Sequence, residues 1–195
     1  EQDVHLRMIP KSRFDGNAAL VEFTRQAEAC MTLKHPAFTK IFDVGELGDC
    51  CFVAIEHVVA TPICPRAAAH RGETFAFSVS QVLDVGRAVC AALCEAQSAG
   101  LAATLHPSHI LLDAAGQVRL REAVLLRPRL RNRAGAAVCK SVAHPRTAER
   151  ETSRALGQCL YVLLTDDLPQ SPAVPAALIR PEVPKGLDSL VARLL

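Results

Sequence analysis

The stretch Ser98-Ala-Gly-Leu-Ala-Ala-Thr-Leu-His-Pro-Ser-His-Ile-Leu-Leu-Asp113 joins a long helical pattern to a short hairpin through a histidine-containing loop. Gly100 has the position of a helix C-cap, where a residue in the left-handed conformation ends a helix. The apolar run Ile110-Leu111-Leu112 predicts a strand. Gly116 then supplies the positive φ of a turn before the second strand, Val118-Arg119-Leu120. The sequence therefore predicts a helix, a loop and a hairpin in that order.

Upstream of this stretch, the residue pattern predicts a small unit of strands around one helix. Alternating apolar and polar residues over Val4-His5-Leu6-Arg7-Met8-Ile9 predict a strand with one buried face. Two further strands are predicted over residues 39–44 and 51–59. Between the first and second strands lies a predicted helix. Its apolar stripe consists of Leu20, Phe23, Ala27 and Met31.

A connector containing Pro62, Pro65 and Gly72 divides the chain into two lobes. We place the boundary near residue 60, with a strand-rich lobe over residues 1–60 and a larger lobe over residues 61–195. In the larger lobe apolar residues recur at helical spacing in three stretches. These are Val79, Val82, Leu83, Gly86, Val89, Cys90 and Leu93; Leu156, Cys159, Leu160 and Leu163; and Leu187, Leu190, Val191 and Leu194. The sequence predicts an α+β fold with a small β-rich lobe and a larger, mainly helical lobe.

The composition is typical of a globular protein in a reducing compartment. Half of the 195 residues are apolar and the formal net charge is +2, which excludes a disordered chain and a polycation that coats nucleic acid. No apolar run reaches the ~18 residues that span a bilayer, and Glu1-Gln2-Asp3 lacks the basic start of a signal peptide. Several cysteines fall on the apolar stripes, so we expect buried thiols and a cytoplasmic protein. They are Cys30, Cys90, Cys94 and Cys159.

The order of elements and several motifs resemble the catalytic domain of bacterial-type serine/threonine protein kinases. Seven stretches of this chain resemble features of that family: the end of the regulatory helix, the fourth strand, the fifth strand with the hinge, the catalytic loop, the strand into the D-F-G motif, and two later helices. The matching stretches are residues 23–36, 42–45, 52–58, 98–113, 118–124, 153–165 and 181–195. The resemblance implies a two-lobe, kinase-like fold. The family's first two strands would precede Val4 and its last helix would follow Leu195, so we expect a segment, truncated at both ends, of a longer multidomain signalling protein.

In the catalytic loop, the resemblance assigns kinase roles to residues that lack the family's chemistry. The catalytic aspartate falls on Thr104, whose hydroxyl does not accept a proton near neutral pH. The phosphate-neutralising lysine falls on His106 and the Mg²⁺-binding asparagine on His109, and imidazole is a poor ligand for this oxygen-seeking ion. No Asp or Asn occurs over residues 101–111, so the loss does not depend on the alignment register. Only the D-F-G aspartate, which falls on Glu122, keeps a carboxylate for a metal ion.

The nucleotide-binding positions are also altered in this resemblance. The phosphate-anchoring lysine falls on Arg7 and its glutamate partner on Gln26, so that an ion pair becomes at best a hydrogen bond. The hinge that would bind a nucleotide through its backbone consists of Glu56, His57 and Val58. We therefore expect a catalytically inactive kinase-like domain, a pseudokinase, that regulates or docks other proteins and holds no cofactor. The alternative is a weak ATP-dependent serine/threonine kinase or nucleotide-binding domain, in which Glu122 holds Mg²⁺ or Mn²⁺ and Arg7 contacts phosphate.

A basic segment occupies the place of the family's activation loop. Between Arg127 and Arg150 there are seven basic residues and one acidic residue. Such a segment can dock an acidic or phosphorylated protein through arginine forks, and it can equally be a solvated loop without a partner. No aromatic residues are interleaved, which argues against binding of single-stranded nucleic acid. The candidate partner-binding residues are Arg127, Arg129, Arg131, Arg133 and Lys140.

A zinc site is the other constellation to consider. Cys90, Cys94, His106 and His109 are of the residue types that bind zinc. The spacing does not favour such a site, because no C-x-x-C pair is present and the two thiols are expected on a buried helix stripe. We therefore expect no zinc here.

Overall fold

A three-stranded antiparallel sheet and one helix form the first lobe. The structure is a computed structural model that describes residues 3–63, 77–126, 128–131 and 145–195, with residues 145–149 described by their backbone alone. The strands are β1 (Val4–Pro10), β2 (Ile41–Leu47) and β3 (Cys50–Glu56), and β3 lies between the other two. Helix α1 (Asn17–Met31) contributes Leu20, Phe23 and Ala27 to the same buried cluster as Cys51, Val53 and Ile55 of β3. The helix therefore covers one face of the sheet.

Strand β1 forms as predicted, but its predicted buried face is wrong. Val4, Leu6 and Met8 are exposed, whereas Ile9 is buried. The antiparallel register explains this, because Ile9 lies opposite the buried Cys51 of β3, and residues directly opposite each other share a face of the sheet. Val4, Leu6 and Met8 thus lie on the face turned away from α1.

In the part of the chain that the structure describes, four helices make up most of the second lobe. They are α2 (Val79–Ser98), α3 (Pro145–Thr165), α4 (Ala176–Ile179) and α5 (Lys185–Leu194). Ser78 and Gln81 form a reciprocal capping box at the start of α2. At its end Gly100 has a φ of 72°, and Leu101 N–H donates to Ala96 O, which closes the helix as predicted.

The cysteine prediction fails on α2. Cys90 and Cys94 are exposed, whereas Cys30, Cys51 and Cys159 are buried. The buried stripe of α2 consists of Val82, Val85, Val89, Ala92 and Ala96. Two members of this stripe are small alanines, and at ~3.6 residues per turn its centre lies about one-third to nearly one-half of a turn away from the two thiols.

A second small sheet joins the two lobes. Its strands are β4 (Ala60–Pro62), β5 (Ile110–Asp113) and β6 (Val118–Leu120), in that order. The predicted β5–β6 hairpin is present, and Gly116 has the expected positive φ of 76°. Strand β4 directly follows the first lobe, and it pairs with β5 of the second lobe. The sheet therefore contains strands that lie before and after the connector in the chain.

Further contacts hold the lobes together around the loop that follows α1. One carboxylate oxygen of Glu95 on α2 accepts hydrogen bonds from the backbone N–H groups of Lys34 and His35. Thr39 N–H donates to the carbonyl of Leu120 at the end of β6. Across the described ranges, no helix combines the length and the apolar character needed to cross a bilayer.

Candidate functional site

Two loops from the helical lobe form one side of the cleft between the lobes. The first loop, residues 101–109, carries Thr104 and His109, and the second begins with the 3-10 turn Glu122–Val124 directly after β6. Thr104 N–H donates to Val124 O at 2.7 Å, and Arg121 N–H donates to His109 O at 3.0 Å. These backbone bonds bring together the positions that the kinase resemblance assigned to the catalytic loop and the D-F-G motif.

Arg7 closes the cleft from the opposite lobe. Its guanidinium Nη1 lies 3.2 Å from Oε1 of Glu122, and the two side chains are 33% and 20% exposed. Arg7 lies on the core-facing side of β1, opposite the buried Val53, and so points toward the cleft. The cation predicted to contact phosphate and the carboxylate predicted to hold a metal are therefore bound to each other.

Gln26 has a different partner from the one that the sequence suggested. Its Nε2 donates to Glu22 Oε1 at 2.9 Å, and Arg25 donates twice to the same carboxylate. These bonds lower the pKa of Glu22 to about 2, with the Arg25 hydrogen bond as the largest cause. Arg7 and Gln26 are thus each engaged by an acidic residue, one in each lobe, rather than by each other.

The two histidines of the loop have separate environments. His106 is exposed, and its Nδ1 lies 2.7 Å from the Ser108 hydroxyl at the start of the 3-10 turn Pro107–His109. His109 is half-buried, and its Nδ1 has no partner among the described residues. Burial lowers the pKa of His109 below its ordinary value, and a hydrogen bond to the backbone of Thr104 opposes this in part. His109 is therefore a neutral imidazole near pH 7.

The donor groups of the cleft do not fit a magnesium ion. The family binds Mg²⁺ through an asparagine and an aspartate, whereas the residues described at these two positions are the imidazole of His109 and the Glu122 carboxylate, which is already paired with Arg7. In the part of the chain that the structure describes, no three His, Cys, Asp or Glu side chains form a group that could hold a metal ion.

The hinge has one anchored residue and two residues that make no backbone–backbone loop bond to the described residues. The Glu56 carboxylate binds the Arg119 guanidinium and accepts a hydrogen bond from Lys40 N–H. His57 is exposed and Val58 is half-buried. Within the described ranges, the backbone groups of these two residues make no turn or loop hydrogen bonds.

The described part of the basic segment is bound to the first lobe. Leu130 forms an antiparallel bridge with Phe14, and Arg131 N–H donates to Arg13 O at 2.7 Å. The Arg131 side chain pairs with Asp15 at 2.8 Å, and Arg129 O accepts a hydrogen bond from Asp15 N–H. The other three candidate partner-binding residues lie outside the described residues. They are Arg127, Arg133 and Lys140.

Sequence reasoning missed two parts of this site. The contacts of Arg25 and Gln26 with the Glu22 carboxylate could have been predicted. The two residues follow Glu22 at the i+3 and i+4 spacings that favour contact on a helix. No sequence pattern indicates the pairing of Asp15 with Arg131, since 116 residues separate them.

Comparisons with known proteins show the fold. No protein-family model and no curated protein matches the chain. Among solved structures, the kinase domain of Mycobacterium tuberculosis PknI is 23% identical with a TM-score of 0.71, over 98% of this chain and 77% of that domain. A single-substitution mutant of the same domain is 22% identical with a TM-score of 0.72, over 98% of this chain and 76% of the other. The chain thus has the two-lobe protein-kinase-like α+β fold that the sequence predicted.

Proposed function

We propose that this kinase-like domain is catalytically inactive and acts in signalling as a regulatory or protein-docking module. The observation that carries the proposal is the ion pair between Arg7 and Glu122 across the cleft. In a kinase the corresponding cation and carboxylate act on the phosphates and on the metal ion. Here each neutralises the other, and the loop over residues 101–109 supplies no second carboxylate or amide.

The chemistry of phosphoryl transfer supports the proposal. Transfer depends on positioning and on neutralising charge at the phosphates, and removal of one preorganised electrostatic contact slows an enzyme by roughly 10²- to 10³-fold. Thr104, His106 and His109 stand at three such positions and supply neither a carboxylate nor a fixed cation. Because such groups act as a unit, their joint replacement leaves no efficient catalyst.

A fold that loses its chemistry keeps its core, because burial stabilises the scaffold independently of the site. Residues of both lobes belong to one buried cluster, which includes Phe23 of α1 and Leu163 of α3. The domain therefore retains a defined surface for partners. A docking role requires a folded domain with such a surface and does not require catalytic residues.

Nucleotide binding without transfer is the second candidate. It is favoured by the backbone of His57 and Val58, which makes no backbone–backbone loop bond to the described residues, at the hinge that would contact a base. A metal-assisted version would need Glu122 to leave Arg7 and bind the ion alone. Metal dependence therefore separates the two candidates.

A thermal-shift titration with ATP alone, with ATP and Mg²⁺, and with ATP and Mn²⁺ tests the proposal. We expect no metal-dependent rise in Tm and no transfer of labelled phosphate to a general protein substrate. A metal-dependent rise that Glu122→Ala abolishes would favour the weak kinase or nucleotide-binding domain. The matched control is Glu28→Ala, which removes an exposed carboxylate from α1 and should leave any nucleotide response unchanged.

A further inference from the structure

A cationic cavity of about 490 Å³ lies behind the hinge. It is bounded by the end of α1, the loop leading to β2, the first residues of β2, and one residue each from the hinge and from β6. Lys34, Lys40 and Arg119 supply positive charge to its lining, and Glu56 is the only acidic residue of that lining. We call this cavity the hinge-side pocket.

Backbone hydrogen bonds hold the main chain of both lysines, and their ammonium groups have no ion-pair partner among the described residues. Lys34 N–H donates to Glu95 at 2.6 Å, and Lys40 N–H donates to Glu56 at 3.0 Å. Neither ammonium group has an ion-pair partner among the described residues, and both residues are exposed. Two lysine ammonium groups on one lining can turn toward the same dianion, and the ordering of their flexible stems is a cost of binding.

Arg119 adds a cation at the floor of the pocket. Its guanidinium pairs with Glu56, and its buried Nε has no hydrogen-bond partner among the described residues. Glu56 therefore balances one of the three cations, and the lining keeps two positive charges. A phosphate monoester carries close to two negative charges at pH 7, which matches this balance better than a single carboxylate does.

The rim of the pocket suits a peptide rather than a free ion. Met31 and Phe42, both in the lining, are 43% and 37% exposed. Exposed apolar side chains beside a cationic site can pack against residues next to a phosphorylated one, so that both charge and apolar area contribute to binding.

We infer that the hinge-side pocket binds a phosphorylated serine or threonine of a partner protein, with Lys34 and Lys40 on the phosphate. This inference rests on the proposed docking function and names its surface and partner chemistry. It also assigns docking to residues other than Arg131, which is already paired with Asp15.

Fluorescence anisotropy with three labelled peptides tests the inference. The probe is acetyl-Ala-Phe-phosphothreonine-Gly-Ala, compared with the same peptide carrying threonine and with one carrying glutamate. We expect the phosphopeptide to bind ~10-fold or more tightly than either, and the double variant Lys34→Glu, Lys40→Glu to weaken its binding by ~10-fold or more. The matched control is Lys185→Glu, Arg193→Glu, which reverses two exposed charges on α5 and should change the Kd by less than about twofold.

Three results would overturn the inference. If the threonine peptide bound as tightly as the phosphopeptide, the phosphate charge would not contribute to binding. If the glutamate peptide bound as tightly, the pocket would recognise acidic residues in general rather than phosphorylated ones. An equal loss in the α5 control would assign binding to overall surface charge. Phosphate transfer from ATP, measured separately, would contradict the proposed inactivity without affecting peptide binding, so the two failures are distinguishable.

Discussion

Among single residues, Arg7 and Glu122 make the contact whose removal is most informative. Their ion pair is partly buried and spans the cleft, so it also contributes to the docking of the two lobes. We expect Arg7→Gln and Glu122→Gln each to lower the free energy of unfolding by ~0.5–1 kcal/mol, with a coupling energy of similar size. Urea unfolding of both single variants and the double variant measures this coupling. Strictly additive effects would show that the pair does not form in solution.

His109 gives the cleft a pH dependence of known sign. Burial lowers its pKa below 6.5 in the folded chain, so the unfolded chain takes up a proton at higher pH than the folded chain does. Its contribution to stability is therefore complete above pH 6.5 and is lost as the pH falls toward the lowered pKa. We expect His109→Asn to remove this loss, so that the variant gains stability relative to the parent below pH 6.5. The measurement is the free energy of unfolding of both proteins between pH 7.5 and 5. A difference between variant and parent that stays constant over this range would contradict the role assigned to His109.

Between secondary-structure elements, one glycine lies where two helices of the second lobe approach each other closely. A Cβ built on Gly157 of α3 would lie 2.6 Å from Leu194 Cβ and 3.0 Å from Leu194 C in α5. Real Cβ atoms do not approach so closely, and the obstacle includes backbone, so α5 would have to shift. We expect Gly157→Ala to destabilise the chain by ~1–3 kcal/mol in denaturant unfolding.

Gly186 is the matched control for that helix contact. It lies in α5, and a Cβ built there would meet no atom within 4 Å. Alanine favours helix over glycine by up to ~1 kcal/mol, so we expect Gly186→Ala to be neutral or stabilising. If both alanine variants behaved alike, α3 and α5 would not pack as described.

The sequence predicted where helices, strands and turns occur better than it predicted which face of each element is buried. The capping glycine at 100 and the turn glycine at 116 could be predicted because they act through local backbone geometry. The buried face of β1 could not, because its orientation is set by pairing with β3, about 46 residues away in the chain. The partners of Arg7 and Asp15 were equally inaccessible, since each lies more than 100 residues away.

In the whole molecule, contacts across the cleft should make the two lobes unfold together. Phe14 in the first lobe is buried against Phe23, with ring centroids 5.5 Å apart, and it bridges Leu130 from the basic segment. Tyr161, the only tyrosine in a chain without tryptophan, is buried in α3 and reports on the helical lobe. We expect Phe14→Leu to lower stability by ~1–2 kcal/mol and to shift the transitions seen by far-UV circular dichroism and by Tyr161 emission equally. A shift in only one signal would mean that the lobes unfold separately.

The overall architecture was the most predictable level, because it follows from the order of strands, helices and hairpin rather than from any one contact. The two-lobe fold inferred from that order is confirmed by the solved kinase domains. The cleft was less predictable, since its residues were identified by motif position but their pairing depends on how the lobes meet.

The different burial of the thiols gives this chain an ordered reactivity toward alkylating reagents. Cys90 and Cys94 lie exposed one helical turn apart on α2, whereas burial raises the pKa of Cys30 to about 12 and also raises that of Cys51. Because the thiolate is the reacting form, the α2 thiols should be labelled in the native state, and the buried ones only when their surroundings open. Site-resolved labelling would then time local opening separately in each lobe, at Cys30 and Cys51 in the first and at Cys159 in the second.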